Sequence, residues 1–230
     1  MTGISKSSPM HWTATSPGTV EHSAGALPMV GCAATHLDYP MKKTLARWTL
    51  RLFGWSLEGE QPAAPRYVLI AAPHTSNWDF PLMLLYAAAF EMKVTWMAKH
   101  SLFWPPLGWF MRAMGGMPIV RHRNGNTVDA MVAAFSDQAK LILVVPTEGT
   151  RDRVEFWKSG FYHIARRAAV PIVPSFLDFA RKRGGFGPAM ALSGDVVRDM
   201  DYFRDFYGDY QGRFPALFGP IRLREESEET

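Results

Sequence analysis

From Tyr67 onward the chain alternates short apolar runs with stretches of helical periodicity. The runs Tyr67–Ala72, Val94–Ala98, Met117–Val120, Leu141–Val145 and Ile172–Leu177 have strand length, and Met190–Ser193 is a candidate last strand. Phe80–Phe90, Asn126–Gln138, Phe161–Ala168 and Asp199–Tyr210 carry helical patterns, with Thr75, Ser76 or Asn77 placed to cap the first. Such alternation predicts an α/β fold, a mixed, largely parallel sheet flanked by helices on both faces. In sheets of this kind, ligand chemistry gathers where strands end. His74 stands just past the first expected strand, Arg121 past the third and Glu148 past the fourth. That convergence points to one shared pocket.

Ahead of this region, Met41–Trp55 sets Leu45, Trp48, Leu52 and Trp55 at helical spacing, with Lys42, Lys43, Arg47 and Arg51 elsewhere. The pattern predicts an N-terminal amphipathic helical segment, residues 41–60, suited to the headgroup region of a membrane. Leu102–Met111 concentrates aromatics around a proline pair. It suits an interfacial loop, the wall of an acyl channel, or plain packing on the core. Residues 1–40 are rich in Ser, Thr, Gly, Ala and Pro, nearly uncharged and without periodicity, and read as a disordered extension. Met41, followed by two lysines, would make a natural start. Residues 61–224 are expected to form the main domain, and 225–230 a solvated acidic tail. The sequence has no apolar run long enough to suggest a membrane-spanning helix.

Composition narrows the partners. A chain of 230 residues, 47% hydrophobic and 20% charged, can bury one substantial core. Its single cysteine, Cys32, rules out an internal disulfide framework and fits a reducing compartment. The net charge of +4 favours phosphate-rich partners, either an anionic membrane or a phosphorylated substrate. Basic residues are scattered and no nucleic-acid module is visible, so nucleic acid is not an expected partner. No cluster has metal-ligand spacing, and no metal is expected.

The sharpest chemical signal is Pro73-His-Thr-Ser-Asn-Trp-Asp79. A carboxylate can hold an imidazole in one tautomer and stabilise the charge it gains as a base. Residues five apart on one helix differ by about 140° in direction. His74 and Asp79 can therefore meet if His74 lies on the turn leaving the strand and Asp79 in the first helical turn. Further along come Gly115-Gly-Met-Pro-Ile-Val-Arg121, Glu148-Gly-Thr-Arg151 and Val170-Pro-Ile-Val-Pro174. Arg121 and Arg151 are candidate anion clamps, since guanidinium groups fork onto phosphate oxygens. Gly149 would let the backbone approach a ligand closely. Glu148 could contact an acceptor hydroxyl or orient Arg151. Lys99 could meet phosphates of the acceptor or the donor, or stay solvated. Arg123, Arg153 and Lys158 add steering charge. The chain offers no serine or cysteine in a nucleophile-elbow setting, so direct attack by the acceptor is the simpler scheme.

Together, these four blocks resemble those of the glycerolipid acyltransferase family, over roughly residues 67–195. Ala98-Lys-His-Ser-Leu-Phe103 and Phe156-Trp-Lys-Ser-Gly160 are similar to further segments of that family. Pro73 stands where the family commonly has Asn, Pro118 where it has Phe, and Thr147 where it has Pro. None of these removes a reacting group. The resemblance implies His74 and Asp79 as the catalytic pair, and Arg121, Lys99, Glu148, Gly149, Thr150 and Arg151 as substrate-binding positions. It implies transfer of a fatty acyl chain from acyl-CoA or acyl carrier protein to the hydroxyl of a lysophospholipid, with no cofactor. The expected setting is peripheral, on the cytoplasmic face of the inner membrane. A non-catalytic lipid-binding membrane protein and an acyl-thioester hydrolase are the alternatives.

Overall fold

The computed structural model describes residues 38–119 and 124–227. The helix α1 (Asp38–Leu52) comes first, then β1 (Ser56–Glu58), β2 (Arg66–Ala71), α2 (Asp79–Ala89), β3 (Val94–Lys99), α3 (Leu107–Ala113) and β4 (Gly116–Ile119). The second half adds α4 (Asn124–Asp137), β5 (Leu141–Pro146), α5 (Gly160–Ala168), β6 (Ile172–Asp178), β7 (Arg183–Phe186) and α6 (Val196–Tyr207). Among the described residues the strands form one seven-stranded sheet in the order β1-β7-β6-β2-β5-β3-β4. All pairings are parallel except β6 with β7. The α/β, largely parallel arrangement expected from the pattern is the one found.

Burial on both faces explains the apolar strands. Val68 and Ile70 of β2 face a core with Phe135 of α4, Phe161 and Ile164 of α5, and Met200 and Phe203 of α6. Tyr67 and Leu69, one step out of phase, face the other core with Ala87, Val94, Trp96 and Val144. A third cluster joins Ala46 and Leu50 of α1 to Tyr86 and Ala89 of α2. Helix α2 is thus covered on two sides, which accounts for a sequence apolar nearly all round, Asp-Phe-Pro-Leu-Met-Leu-Leu-Tyr-Ala-Ala-Ala.

Several expectations change. The first helix ends at Leu52, not near residue 60, where Gly54 adopts φ +76° and the Trp55 N–H donates to Leu50 O. Trp55 turns inward against Tyr86 and Phe179, so it leaves the face on which the spacing set it. Met190–Ser193 makes only an isolated bridge, Met190 to Ile172. The strands β1 and β7 and the helix α3 carry no clear sequence signal, being very short or broken by Gly and Pro. The expected caps of α2 are employed elsewhere: Thr75 Oγ1 accepts from the Phe214 N–H, and Ser76 Oγ from the Trp78 N–H. The acidic tail is partly anchored, with Glu225 beside His163 at 3.4 Å and Glu226 paired to Arg204 at 2.8 Å. The expected extension, residues 1–40, falls almost wholly outside the described residues.

Candidate active site

The strands β2 and β5 are neighbours, with Ala71 opposite Pro146. Their C-terminal loops therefore leave the sheet side by side, and both carry chemistry. On the first loop, His74 Nδ1 lies 3.1 Å from Asp79 Oδ2. The same oxygen accepts from the Ser76 N–H at 2.9 Å, which folds the loop back onto the start of α2. A carboxylate is electrostatically favoured at a helix N-terminus. Asp79 Oδ1 is buried and has no hydrogen-bond partner among the described residues. The imidazole opposite Oδ2 stays 21% exposed.

On the second loop, Glu148 is 1% exposed and turned toward the first. Both of its carboxylate oxygens lie 3.1 Å from the His74 backbone nitrogen and accept from it. Neither role considered from sequence, acceptor contact or orientation of Arg151, describes this arrangement. Burial pushes the Glu148 carboxyl up to about 7, against the lowering effect of the His74 N–H. Gly149 takes φ +69°, the left-handed conformation that turns the chain out of the sheet, and its N–H donates to Pro146 O.

A cavity of about 610 Å³ opens beside these loops. His74, Asn77, Asp79, Gly149, Thr150 and Arg151 line its polar end. Phe80, Met83, Ala87, Val94, Trp96 and Phe186 line an apolar interior between α2 and the sheet. That volume is of the size that holds small ligands. Sequence reasoning did not single out these walls, although the all-round apolarity of α2 was a signal for them. Leu102–Met111 divides its duties: Leu102 and Met111 line the cavity, Phe103 is buried, and Trp104, Leu107, Trp109 and Phe110 are exposed. Lys99 ends β3, and its side chain lies outside the described set. Arg121 lies outside the described residues altogether. Among the described residues no group of His, Cys, Asp and Glu is arranged to hold a metal ion.

Two acidic groups thus act on one histidine, one on its ring and one on its backbone, with an apolar chamber beside it. A family model described as Acyltransferase matches residues 56–178. The 1-acyl-sn-glycerol-3-phosphate acyltransferases of Salmonella typhimurium and Salmonella typhi are each 32% identical over 133 residues, 54% of this chain and 53% of theirs. The chain thus spans about half the length of these curated relatives. The crystal structure of the 1-acyl-sn-glycerophosphate (LPA) acyltransferase PlsC from Thermotoga maritima superposes with a TM-score of 0.53 at 18% identity, covering 74% of this chain and 75% of that one. At that identity the likeness speaks for the fold. The family model covers more than half of the 230 residues, and the chain belongs to the acyltransferase family.

Proposed function

We propose that this protein transfers a fatty acyl chain from an acyl thioester, carried by coenzyme A or acyl carrier protein, to the hydroxyl of a lysophospholipid such as lysophosphatidic acid. The observation that carries the reading is the His74–Asp79 contact of 3.1 Å at the polar end of a cavity with an apolar interior. A proton on Nδ1, facing Asp79, leaves Nε2 to accept the proton of the acceptor hydroxyl as that oxygen attacks the thioester carbonyl. Collapse of the tetrahedral intermediate breaks the C–S bond, and the imidazolium returns its proton to the departing thiolate. Asp79 stabilises the imidazolium in between. Glu148 acts one step back, fixing the His74 backbone and so the position of the ring. Arg151, on the cavity lining, suits the acceptor phosphate, and the apolar interior suits the acyl chain.

A membrane surface is the natural place for such substrates. Met41, Leu45, Trp48 and Leu52 are all more than 60% exposed, on the side of α1 opposite the buried Ala46 and Leu50. The exposed Lys42 and Arg51 flank that stripe at about 90° on either side, as in helices that lie in a headgroup layer. Lys43 and Arg47 instead dock α1 onto α2, through Glu91 and Ala89 O. Among the described residues no helix is long and apolar enough to cross a membrane. The cytoplasmic face of the inner membrane, where acyl thioesters are available, is the proposed location.

Labelled acyl-CoA and a panel of lysolipids test the reading. His74→Ala should cost at least about a hundredfold in rate. Equal, background-level transfer by wild type and variant to every acceptor would sink it. Thioester consumption without lipid product would instead mark a hydrolase, and lysolipid binding without turnover a lipid-binding protein.

A further inference from the structure

The segment after α6 runs back over both strand-end loops. The Phe179 N–H donates to Gln211 O at 2.9 Å, the Phe214 N–H to Thr75 Oγ1 at 3.2 Å, Arg153 Nη1 to Phe218 O at 2.7 Å, and the Trp157 N–H to Arg222 O at 2.8 Å. Gly212 presses against the His74 loop: a β-carbon there would stand 2.5 Å from Thr75 Oγ1 and 3.1 Å from Pro73 Cβ. Only glycine allows an approach this close. The next residue, Arg213, is consequently held over that loop. Its guanidinium carbon lies 5.8 Å from the centre of the Trp78 ring and 5.9 Å from that of Phe214. Trp78 itself sits between Asn77 and Asp79, both of which line the cavity.

Most neighbouring arginines are already engaged. Arg153 bonds carbonyl oxygens, while Arg181, Arg183, Arg204 and Arg222 pair with carboxylates. Arg213 is exposed, and among the described residues it has no carboxylate within ion-pair distance. A cation–π contact of this kind holds a guanidinium in place while leaving its N–H groups open to an anion. Phosphate matches the guanidinium fork in charge and geometry.

We propose that Arg213, held over the His74 loop, is a specificity-determining phosphate contact. The inference deepens the acyl-transfer reading and rests on it. Arg213 lies outside residues 56–178, so this part of substrate selection would come from chain beyond the matched family region. The phosphate belongs either to the acceptor headgroup or to the donor.

Both sources can be separated by measuring kcat/KM for wild type, Arg213→Ala and Arg213→Lys in crossed pairings. The acceptors are lysophosphatidic acid and uncharged 1-monoacylglycerol. The donors are acyl-CoA and an acyl N-acetylcysteamine thioester, which has no phosphate. Arg213→Ala should lose about tenfold with the substrate whose phosphate it contacts, and less than about twofold with its phosphate-free counterpart. Arg213→Lys should recover part of the loss, because it keeps the charge without the fork. A loss confined to lysophosphatidic acid assigns the contact to the acceptor, and one confined to acyl-CoA assigns it to the donor. No loss in any pairing overturns the proposal. Equal loss in all four also overturns it, since Arg213 would then only brace the His74 loop. A wild-type protein that acylates neither acceptor overturns the underlying acyl-transfer reading as well.

Discussion

The two faces of the sheet use similar apolar residues to opposite ends. On the face covered by α4, α5 and α6, large rings meet edge to face: Phe161 with Phe203 at 6.1 Å, Trp157 with Tyr207 at 5.8 Å. Phe161, Phe203 and Tyr207 are fully buried. The face covered by α2 also holds ring pairs, Phe80 with Trp96 and Phe90 with Phe186, each at 4.7 Å, but it sets small and flexible residues, Ala87, Gly185, Met83 and Met92, around about 610 Å³ of space. One face is a platform that fixes where β2 and β5 end, and hence where His74 and Glu148 meet. The other trades packing for a chamber. A ligand site of this kind needs both, because precise loops require a rigid base and an apolar ligand requires room.

Truncation on the packed face should produce the largest effect. Phe203→Ala is expected to cost about 3–5 kcal/mol in denaturant unfolding, with the acyl-chain preference of the remaining folded protein unchanged. A cost below 1 kcal/mol would break the contrast between the faces.

Glu148, at the end of β5, sharpens it through pH. Its carboxyl is raised to about 7 from an ordinary 4.5. Between those values the folded chain holds a proton that the unfolded chain has released. The associated stability is present below about 4.5 and is lost as pH rises through about 7. Relative to Glu148→Gln, wild type should lose roughly 3 kcal/mol of stability between pH 4.5 and 8, measured by urea unfolding across that range. Parallel curves for the two proteins would mean that the carboxyl is not desolvated as its burial indicates.

On the cavity face, adding bulk should be tolerated. Ala87→Leu is expected to change stability by less than about 1 kcal/mol while shifting product profiles toward shorter acyl chains, read by mass spectrometry. A destabilisation as large as that of Phe203→Ala would show that the space is not available to a ligand.

The smallest effect on stability is expected on α1, whose two sides repeat the contrast, Leu50 buried and Trp48 bare. Trp48→Ala should stay within about 0.5 kcal/mol of wild type in unfolding, yet weaken sedimentation with anionic vesicles several-fold. Unaltered vesicle binding would remove that stripe from the membrane proposal.

Much of this architecture was legible beforehand, for a physical reason. Periodicity is local, so the runs at Tyr67, Val94, Leu141 and Ile172 announced parallel strands buried on both faces. The placement of His74 and Glu148 just past two of them foretold that the residues would converge. Short or interrupted elements escaped notice: β7 is Arg-Gly-Gly-Phe, with too little side chain to show alternation. Trp55 was misassigned because helical spacing cannot reveal that a glycine at Gly54 ends the helix by turning left-handed.

By itself, then, the sequence determined the order of the long strands and helices, the residues standing at their ends, and the acyltransferase blocks they compose. Only the tertiary structure decided that Glu148 grips the His74 backbone across 74 positions of chain. The same holds for Phe214, which reaches Thr75 across 139 positions and holds Arg213 over the Trp78 ring. It also decided that α2 stands off the sheet far enough to leave a cavity. Such features depend on which distant surfaces meet and how completely they fill the space between them, and no pattern of neighbouring residues records that.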